Sequence, residues 1–373
     1  MIITAPQVLT PARTLAPGWV EVSGDSIVAI GEGTPAGRVD VPLTGTLVPG
    51  FVDTHVHGGG GASFDAGTAE ASETVTSAHL AHGTTSMIAS LVTMSHEDMD
   101  RAVRELALLT SDGRLAGIHL EGPWLSPLHR GAHDPTLLEN PTPQRISRVL
   151  ELGDTAIRMV TVAPELPGGL EAVAHLASSG VVAAVGHTDA TYEQAALALT
   201  SGATAGTHLF NAMTPLNHRA PGAVGALLDS DAIVELICDG VHLHPATIRI
   251  AADVARERFV LVTDAMAAAA SADGDYRLGP LDVFVRDGVA RLAEGTIAGS
   301  TLTMARAVQF CVSVVGLPLD VVLPAATSRP AEHLGLERVG SLAPGNFADL
   351  VELDETLEVA RVMRHGSWLT PMR

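Results

Sequence analysis

The chain has 373 residues, of which 42 are acidic and 22 basic, so its formal net charge is −20. A surface this negative repels nucleic acid and anionic membranes, which excludes both as partners, and an anionic substrate would need a local positive site. Hydrophobic residues make up 46% of the chain and charged residues 17%, a balance typical of strands that helices bury on both faces. The length fits one large α/β barrel or two ordinary domains.

The cysteines and the N-terminal sequence bear on the cellular compartment. Cys238 and Cys311 lie in apolar surroundings without a Cys-X-X-Cys motif, so we expect reduced core residues. The first residues lack the basic and apolar regions of a signal peptide, and no apolar run nears the roughly 20 residues of a membrane helix. We therefore expect a cytoplasmic protein.

The two ends of the chain share one pattern. Residues 19–22 and 26–30 alternate between apolar and polar side chains, which predicts antiparallel strands joined by glycine turns. Segments 346–353 and 357–363 repeat the pattern near the C-terminus. We predict one small β-sandwich domain that is built from residues 1–46 and 341–373.

The middle of the chain alternates between apolar strands and helical stretches. Helices are predicted at 96–110, 168–179 and 191–200, and a long one at 303–315. The predicted strands are 47–52, 84–93, 115–121, 157–163, 181–187, 203–208, 233–238 and 259–263. Eight such βα units indicate an α/β fold with a TIM-type (β/α)8 barrel over residues 47–340. An Asp-Gly turn predicts a hairpin insertion near 276–298.

Polar residues follow the barrel strands at matching positions. They are His55 and His57 just past strand one, Glu121 at the end of strand three, His187 at the end of strand five, His208 at the end of strand six, Asp239 and His242 just past strand seven, and Asp264 just past strand eight. Parallel barrel strands end at one rim, where active sites form. Each residue taken singly could be a hydrogen-bonded buried polar group, but the recurrence favours a site.

Nitrogen and oxygen ligands without thiolates suit Zn²⁺, with Fe²⁺, Mn²⁺ and Co²⁺ as alternatives. One tetrahedral ion requires four ligands, and six candidates are present: His55, His57, Glu121, His187, His208 and Asp264. Two ions bridged by Glu121 would use this set better than one ion. The residues taken alone therefore favour two ions. His119 alternates with Glu121 and is expected to be a hydrogen-bonded core residue.

Several motifs together resemble the amidohydrolase superfamily, and within it the family of N-acetylglucosamine-6-phosphate deacetylases. The superfamily marks are Pro49-Gly-Phe-Val-Asp-Thr-His-Val-His57 and Pro344-Gly-Asn-Phe-Ala-Asp-Leu350, and the deacetylase marks are His119-Leu-Glu-Gly-Pro123 and His208-Leu-Phe-Asn-Ala-Met213. The resemblance covers nearly the whole chain. It implies hydrolysis of the acetamide of N-acetylglucosamine 6-phosphate to glucosamine 6-phosphate and acetate, in amino-sugar catabolism.

The resemblance also implies roles for individual residues. Glu121, His187 and His208 bind the principal metal, and His55 with His57 holds a second ion. The chemistry of a metal site adds that Asp264 transfers protons and that His242 or a metal polarises the substrate carbonyl. Arg219 binds phosphate and reaches the neighbouring subunit's site, which implies a homodimer. The further implied substrate contacts are Ala132, His133, Asn211, Ala212, Asp239, Ile297, Ala298, Gly299 and Ser300.

Two alternatives stay open at this point. Other amidohydrolases, such as dihydroorotases, imidases and N-acyl-amino-acid deacylases, share the superfamily marks. Some of them bridge two metals with a carbamylated lysine on strand four, but residues 158–165 contain no lysine, which favours Glu121 as the bridge. A non-enzymatic relative would typically have lost metal ligands, and this chain retains them all.

Overall fold

The computed structural model describes residues 1–10 and 13–369. Its central sheet has eight parallel strands, each paired with its neighbour in chain order. They are β1 (Phe51–Val56), β2 (Thr84–Leu91), β3 (Gly117–Glu121), β4 (Ile157–Val162), β5 (Val182–Val185), β6 (Ala205–Gly206), β7 (Ile233–Ile237) and β8 (Phe259–Val262). The first and last strands meet where the Asp264 N–H donates to the His55 carbonyl at 2.8 Å. The predicted TIM-type barrel is therefore confirmed.

Helices cover the outside of this barrel. They are α1 (Ala69–Ala81), α2 (His96–Ser111), α3 (Pro143–Gly153), α4 (Gly169–Ser178), α5 (Tyr192–Thr200), α6 (Gly222–Leu228), α7 (Pro245–Ala255), α8 (Met304–Phe310), α9 (Leu319–Ala325) and α10 (Ser328–His333). The predicted helix at 303–315 continues past α8 as a π-helical turn, Cys311–Val315. Within the described ranges, no helix is long and apolar enough to cross a membrane.

The segment predicted as the first barrel strand, 47–52, is divided between two sheets. Thr46–Pro49 pairs antiparallel with Leu350–Leu353 in a terminal sheet, and β1 begins only at Phe51. Pro49 has no N–H to continue a ladder, and Gly50 packs so tightly that a Cβ there would lie 2.1 Å from Thr85 Oγ1. The chain therefore changes sheets at this Pro-Gly pair.

Two sheets from the chain ends face each other. One contains Ile2–Ala5, Gly18–Ser23, Ser26–Glu32 and Val41–Pro42, and the other contains Gln7–Leu9, Thr14–Leu15, Thr46–Pro49, Leu350–Leu353, Val359–Arg364 and Ser367–Trp368. Ile3 and Val20 from the first sheet share one buried core with Leu47, Leu350 and Met363 from the second. The β-sandwich is confirmed. Its bounds at 1–46 and 341–373 stay a prediction, and residues 370–373 lie outside the described part.

The predicted hairpin is present and belongs to a three-stranded sheet. Its strands are Gly274–Leu278, Leu281–Arg286 and Val289–Arg291. The two-residue turn Asp287-Gly288 has φ values of 52° and 72°, as a type I′ turn requires. At the other end of this sheet, the Gly279 N–H donates to Asp65 Oδ2 at 3.1 Å, which ties the hairpin to the loop after β1.

The barrel interior changes from apolar to polar along its axis. At the base, Ile88, Met159, Ala184 and Ala205 pack against Leu334. Two residues further along their strands, alternation places a polar layer on the same inner face. In this layer His119 bonds to Ser90 Oγ at 3.0 Å and to Thr161 Oγ1 at 2.8 Å, and Thr161 bonds to Thr207. The expected core role of His119 is thus confirmed.

Candidate metal centre

Glu121, His187 and His208 converge from β3, β5 and β6. Glu121 Oε1 lies 3.1 Å from His187 Nε2 and 2.9 Å from His208 Nε2, and the two nitrogens lie 3.0 Å apart. Ligands at about 2.0–2.2 Å from one tetrahedral zinc would be separated by roughly this much. All three side chains are buried. The three residues predicted to hold the principal ion therefore converge closely enough for one ion to contact all of them.

The protonation of His187 explains why a cation fits this point. Its Nδ1 lies 2.9 Å from the carbonyl oxygen of His129, which can only accept a hydrogen bond. Nδ1 therefore carries a proton, and when the ring is neutral Nε2 is left with a lone pair for a metal ion beside Glu121. His208 Nδ1 is buried and has no partner among the described residues. Lone pairs from an imidazole and a carboxylate face each other, as around a metal ion.

A second group shares Glu121 with the first. His57 Nε2 lies 3.1 Å from Glu121 Oε2, 3.2 Å from Asp264 Oδ1 and 3.1 Å from His55 Nε2. His55 Nε2 lies 3.5 Å from the same Asp264 oxygen. These four residues can hold an ion together. Glu121 thus faces both groups, with Oε1 beside His187 and His208 and Oε2 beside His57, and its role as a bridge stays a prediction.

The charges of the two groups favour a cation. Burial raises the pKa of Glu121, but the charge of His55 and hydrogen bonds from His133, His187 and His208 outweigh it and hold the pKa well below the usual value. Burial lowers the pKa of His57, but its hydrogen bonds to Asp264 and Glu121 and their charges raise it to about 9. The carboxylates therefore stay ionised and draw protons onto nearby rings. A divalent cation would replace those protons.

The backbone at the site is strained in a way that alters three predicted strands. His187, His208 and Asp264 have φ values of 47°, 29° and 48°, which residues with a Cβ rarely adopt. Such residues cost about 1–3 kcal/mol each and cluster at functional sites. They also leave the β conformation, so β5, β6 and β8 end before the predicted 187, 208 and 263.

A cavity of about 350 Å³ opens beside the metal ligands. Twelve of its lining residues are among the predicted site residues: His57, Glu121, Ala132, His133, His187, His208, Asn211, Ala212, His242, Asp264, Ile297 and Gly299. The cavity can enclose a small molecule against the two candidate metal positions. His133 Nδ1 accepts from the Thr93 N–H at 3.2 Å, so its neutral ring carries the proton on Nε2, which faces Glu121. That tautomer makes His133 a hydrogen-bond donor.

Four predicted substrate contacts lie away from this cavity wall. Asp239 Oδ2 accepts from His242 Nδ1 at 2.7 Å, and Ser300 Oγ donates to the Thr263 carbonyl at 2.6 Å. Ala298 is fully buried in the hairpin core, and Arg219 is exposed on the loop before α6. Asp239 and Ser300 are thus placed to support site residues. The contact of Arg219 with phosphate stays a prediction, because it concerns a neighbouring subunit.

The structure also adds residues that the sequence pattern did not single out. Glu235 accepts from His55 Nδ1 at 3.1 Å, and Asp53 accepts from Thr263 Oγ1 at 2.6 Å. The signal that could have identified Glu235 is that it is the single charged residue in the apolar run 233–237. His129 and Leu278 line the cavity, but no local signal shows that their loops fold over the barrel mouth.

Comparison with known proteins assigns the chain to a family. The sequence profile of the amidohydrolase family matches residues 46–369. The chain belongs to the amidohydrolase family. Amidohydrolases are metal-dependent, and this amidohydrolase carries the corresponding His, Glu and Asp cluster. The chain contains no lysine at all, so a carbamylated lysine cannot bridge the two groups of this amidohydrolase.

Individual relatives narrow the comparison. The N-acetylgalactosamine-6-phosphate deacetylase of Escherichia coli O157:H7 is 35% identical over 361 residues, covering 94% of this chain and 95% of its own. The N-acetylglucosamine-6-phosphate deacetylase of Lysinibacillus sphaericus is 36% identical over 330 residues, covering 86% and 84%. A mutant N-acetyl-D-glucosamine-6-phosphate deacetylase of Mycobacterium smegmatis, solved with N-acetyl-D-glucosamine-6-phosphate, is 50% identical with a TM-score of 0.97, covering 99% and 98%.

Proposed function

We propose that this amidohydrolase deacetylates N-acetylglucosamine 6-phosphate, releasing glucosamine 6-phosphate and acetate. The observation that carries the proposal is the convergence of Glu121, His187 and His208 beside a cavity that Asp264 and His242 also line. Relatives from several organisms are deacetylases of this substrate, which supports it. The reaction belongs to amino-sugar catabolism, and we place it in the cytoplasm.

We propose Zn²⁺ as the metal, with one ion at Glu121, His187 and His208 and a second at His55, His57 and Asp264. Imidazole and carboxylate ligands without thiolates suit Zn²⁺, and they also accept Fe²⁺, Mn²⁺ or Co²⁺. When bound, the metal supplies Lewis-acid chemistry that lowers the pKa of water, so that a nucleophile for the amide is available near neutral pH. The chain's own residues then orient the substrate and move the protons.

Asp264 is suited to handle the protons of the reaction. It is 8% exposed and lines the cavity, and its Oδ1 faces His57. Burial raises the pKa of Asp264, but the charge of His55 and the hydrogen bond from His57 outweigh it and hold the pKa below its usual value. The ionised carboxylate can accept a proton from the attacking water. It can then deliver that proton to the sugar nitrogen, which leaves poorly as an unprotonated amide anion.

His242 and His133 supply hydrogen-bond donors on the cavity wall. Asp239 holds Nδ1 of His242, so Nε2 is the ring atom that remains for a ligand. Burial lowers the pKa of His242, but the hydrogen bond and charge of Asp239 raise it above the usual value. A protonated His242 can donate from Nε2 to the acetamide oxygen as negative charge develops there. Neutral His133 lines the same wall with its one N–H, at Nε2, facing Glu121 Oε2.

The phosphate group requires donors at the outer end of the cavity. Ala212 and Asn211 line the cavity, but the N–H and amide groups of Asn211 bond to the His208 carbonyl at 3.0 and 3.1 Å. Neither residue supplies positive charge. We propose that Arg219 of a second subunit does, through a bidentate guanidinium contact, and that the protein is therefore a homodimer.

Steady-state assays of the purified protein with known metal content test the proposal. N-acetylglucosamine 6-phosphate should have the highest kcat/KM in a panel with N-acetylgalactosamine 6-phosphate, unphosphorylated N-acetylglucosamine, dihydroorotate and an N-acetyl amino acid. Asp264→Asn is the matched inactive control. The galactosamine isomer belongs in the panel because a relative covering 94% of the chain deacetylates it. A metal-loaded protein that hydrolyses none of the phosphorylated sugars would contradict the proposal.

A further inference from the structure

One buried carboxylate oxygen joins the two halves of the metal centre. Glu235 lies on β7 and is 2% exposed. Its Oε2 lies 3.1 Å from His55 Nδ1 and accepts from the main-chain N–H of His208 at 3.2 Å. His55 belongs to one candidate ion and His208 to the other. Glu235 itself does not line the cavity.

The contact with His55 selects one form of its ring. Glu235 Oε2 also accepts from the His208 N–H, so it acts as an acceptor toward His55 and the shared proton resides on Nδ1 of His55. In the neutral ring that binds a metal ion, Nε2 then presents its lone pair 3.1 Å from His57 Nε2 and 3.4 Å from Glu121 Oε1. A ring with the opposite tautomer would place a proton where the ion belongs. Glu235 therefore orients the His55 ring and keeps Nε2 of that ring available to bind a metal ion.

The contact with His208 stabilises a strained backbone. His208 has a φ of 29°, which a residue with a Cβ adopts only when its surroundings hold it. Glu235 holds the loop twice, because its side chain accepts from the His208 N–H and its own carbonyl accepts from the Leu209 N–H at 2.8 Å. This anchoring directs His208 Nε2 to within 2.9 Å of Glu121 Oε1.

We propose that Glu235 is a positioning residue that prepares both metal positions at once. It fixes the ring of His55 for the second ion and the main chain of His208 for the principal ion. A buried carboxylate costs free energy unless it is hydrogen-bonded, and both of these N–H groups belong to metal-binding residues. The inference rests on the metal-dependent function proposed above, but it does not depend on which substrate is hydrolysed.

The experiment compares Glu235→Gln with a matched control, Glu352→Gln. Glu352 is 4% exposed, and its Oε1 accepts from the N–H groups of Thr44 at 3.0 Å and Gly45 at 2.9 Å in the terminal β-sandwich. Each variant removes a buried charge that accepts two N–H groups, so both should lower the melting temperature. Chelator-stripped proteins are then titrated with Zn²⁺ by calorimetry and with Co²⁺ by visible absorption, and ions per chain are counted.

Metal affinity is the deciding result because a merely structural role would leave it unchanged. Glu235→Gln should weaken metal binding by about 10- to 100-fold, the usual effect of removing a group that orients a ligand. Glu352→Gln should bind metal as tightly as the wild type. Glu235→Gln with wild-type affinity and ion count would overturn the inference. A protein that binds metal as described but hydrolyses no amino-sugar phosphate would refute only the proposed function.

The wild-type protein provides the test if Glu235→Gln does not fold. In the zinc-loaded protein labelled with ¹⁵N-histidine, His55 should show a single N–H at Nδ1 that exchanges slowly with water. Exposed His218 provides the fast-exchanging comparison. A His55 ring with its proton on Nε2, or an Nδ1 proton that exchanges as fast as that of His218, would overturn the inference.

Discussion

Glu121 Oε1 and His187 Nε2 lie 3.1 Å apart, and both are acceptors when the neutral ring keeps its proton on Nδ1, which donates to the His129 carbonyl. Two acceptors at this distance repel each other unless a cation joins them. The same carboxylate serves His208 through Oε1 and His57 through Oε2. The centre is therefore organised around Glu121, and the histidines of each group can be removed separately by mutation.

Removal of histidines from each group should affect different ions. His187→Ala should abolish the tightly bound ion, because it removes one of three ligands at that position. The double variant His55→Ala with His57→Ala should remove only the second ion and leave one per chain. Elemental analysis of the purified proteins measures the count. Complete loss of metal from the double variant would show that the principal ligands are assigned wrongly.

Asp264→Asn should reduce kcat by about 10²- to 10⁴-fold, because an amide cannot carry the proton between water and the leaving amine. The principal ion should remain, since Glu121, His187 and His208 are unchanged. Stopped-time assays and metal counts on the same preparation separate the two effects. If turnover falls only in proportion to lost metal, Asp264 acts as a ligand and not as a proton carrier.

Asp239→Asn should move the alkaline limb of the kcat/KM profile to lower pH. Asp239 raises the folded-state pKa of His242, so the ring keeps its proton to higher pH in the wild type. Without that charge the ring deprotonates earlier, and an opposite charge at this range shifts a pKa by about 1–3 units. We expect a displacement of about one pH unit. An unchanged profile would mean that His242 is not needed as a protonated donor.

Mixed dimers test the position of Arg219. Arg219→Ala alone should raise KM for the phosphorylated sugar, with a smaller effect on kcat. When it is refolded together with Asp264→Asn, half of the dimers should be hybrids, and each hybrid has one site with Asp264 and the partner's intact arginine. About a quarter of wild-type activity should return if the dimer is symmetric. No recovery beyond the sum of the two variants would place Arg219 in its own subunit's site.

The metal-free protein should lose stability as the pH rises above neutrality. His57 has a folded-state pKa of about 9, raised by Asp264 and Glu121 over the lowering effect of burial. A raised pKa stabilises the fold fully below about 6.5, the unfolded value, and this contribution is lost as pH rises through 9. Metal replaces the proton, so the melting-temperature difference between zinc-loaded and chelated protein should grow from pH 7 to pH 9.5. A constant difference would contradict the raised pKa.

Strand rhythm and strand-end chemistry predicted much of this protein. The eight barrel strands were predicted from their sequence, and so was the convergence of Glu121, His187 and His208. The strand boundaries were less accurate, because His187, His208 and Asp264 leave the β conformation and sequence alone gives no measure of φ. The 47–52 segment was divided because two sheets compete for it, which is a property of the assembled fold.

What the sequence determined by itself was the barrel and the polar strand-end residues that converge at its mouth, because parallel strands in a closed barrel bring every strand end to one rim. Only the tertiary structure decided which imidazole nitrogen is left for a ligand, which carboxylate orients the ring, and which loops line the cavity. Glu235 and His55 lie 180 positions apart in the chain, yet their contact sets the tautomer of a metal ligand. A hydrogen bond of this kind depends on atomic distances between separate strands, and a pattern along one strand carries no information about them.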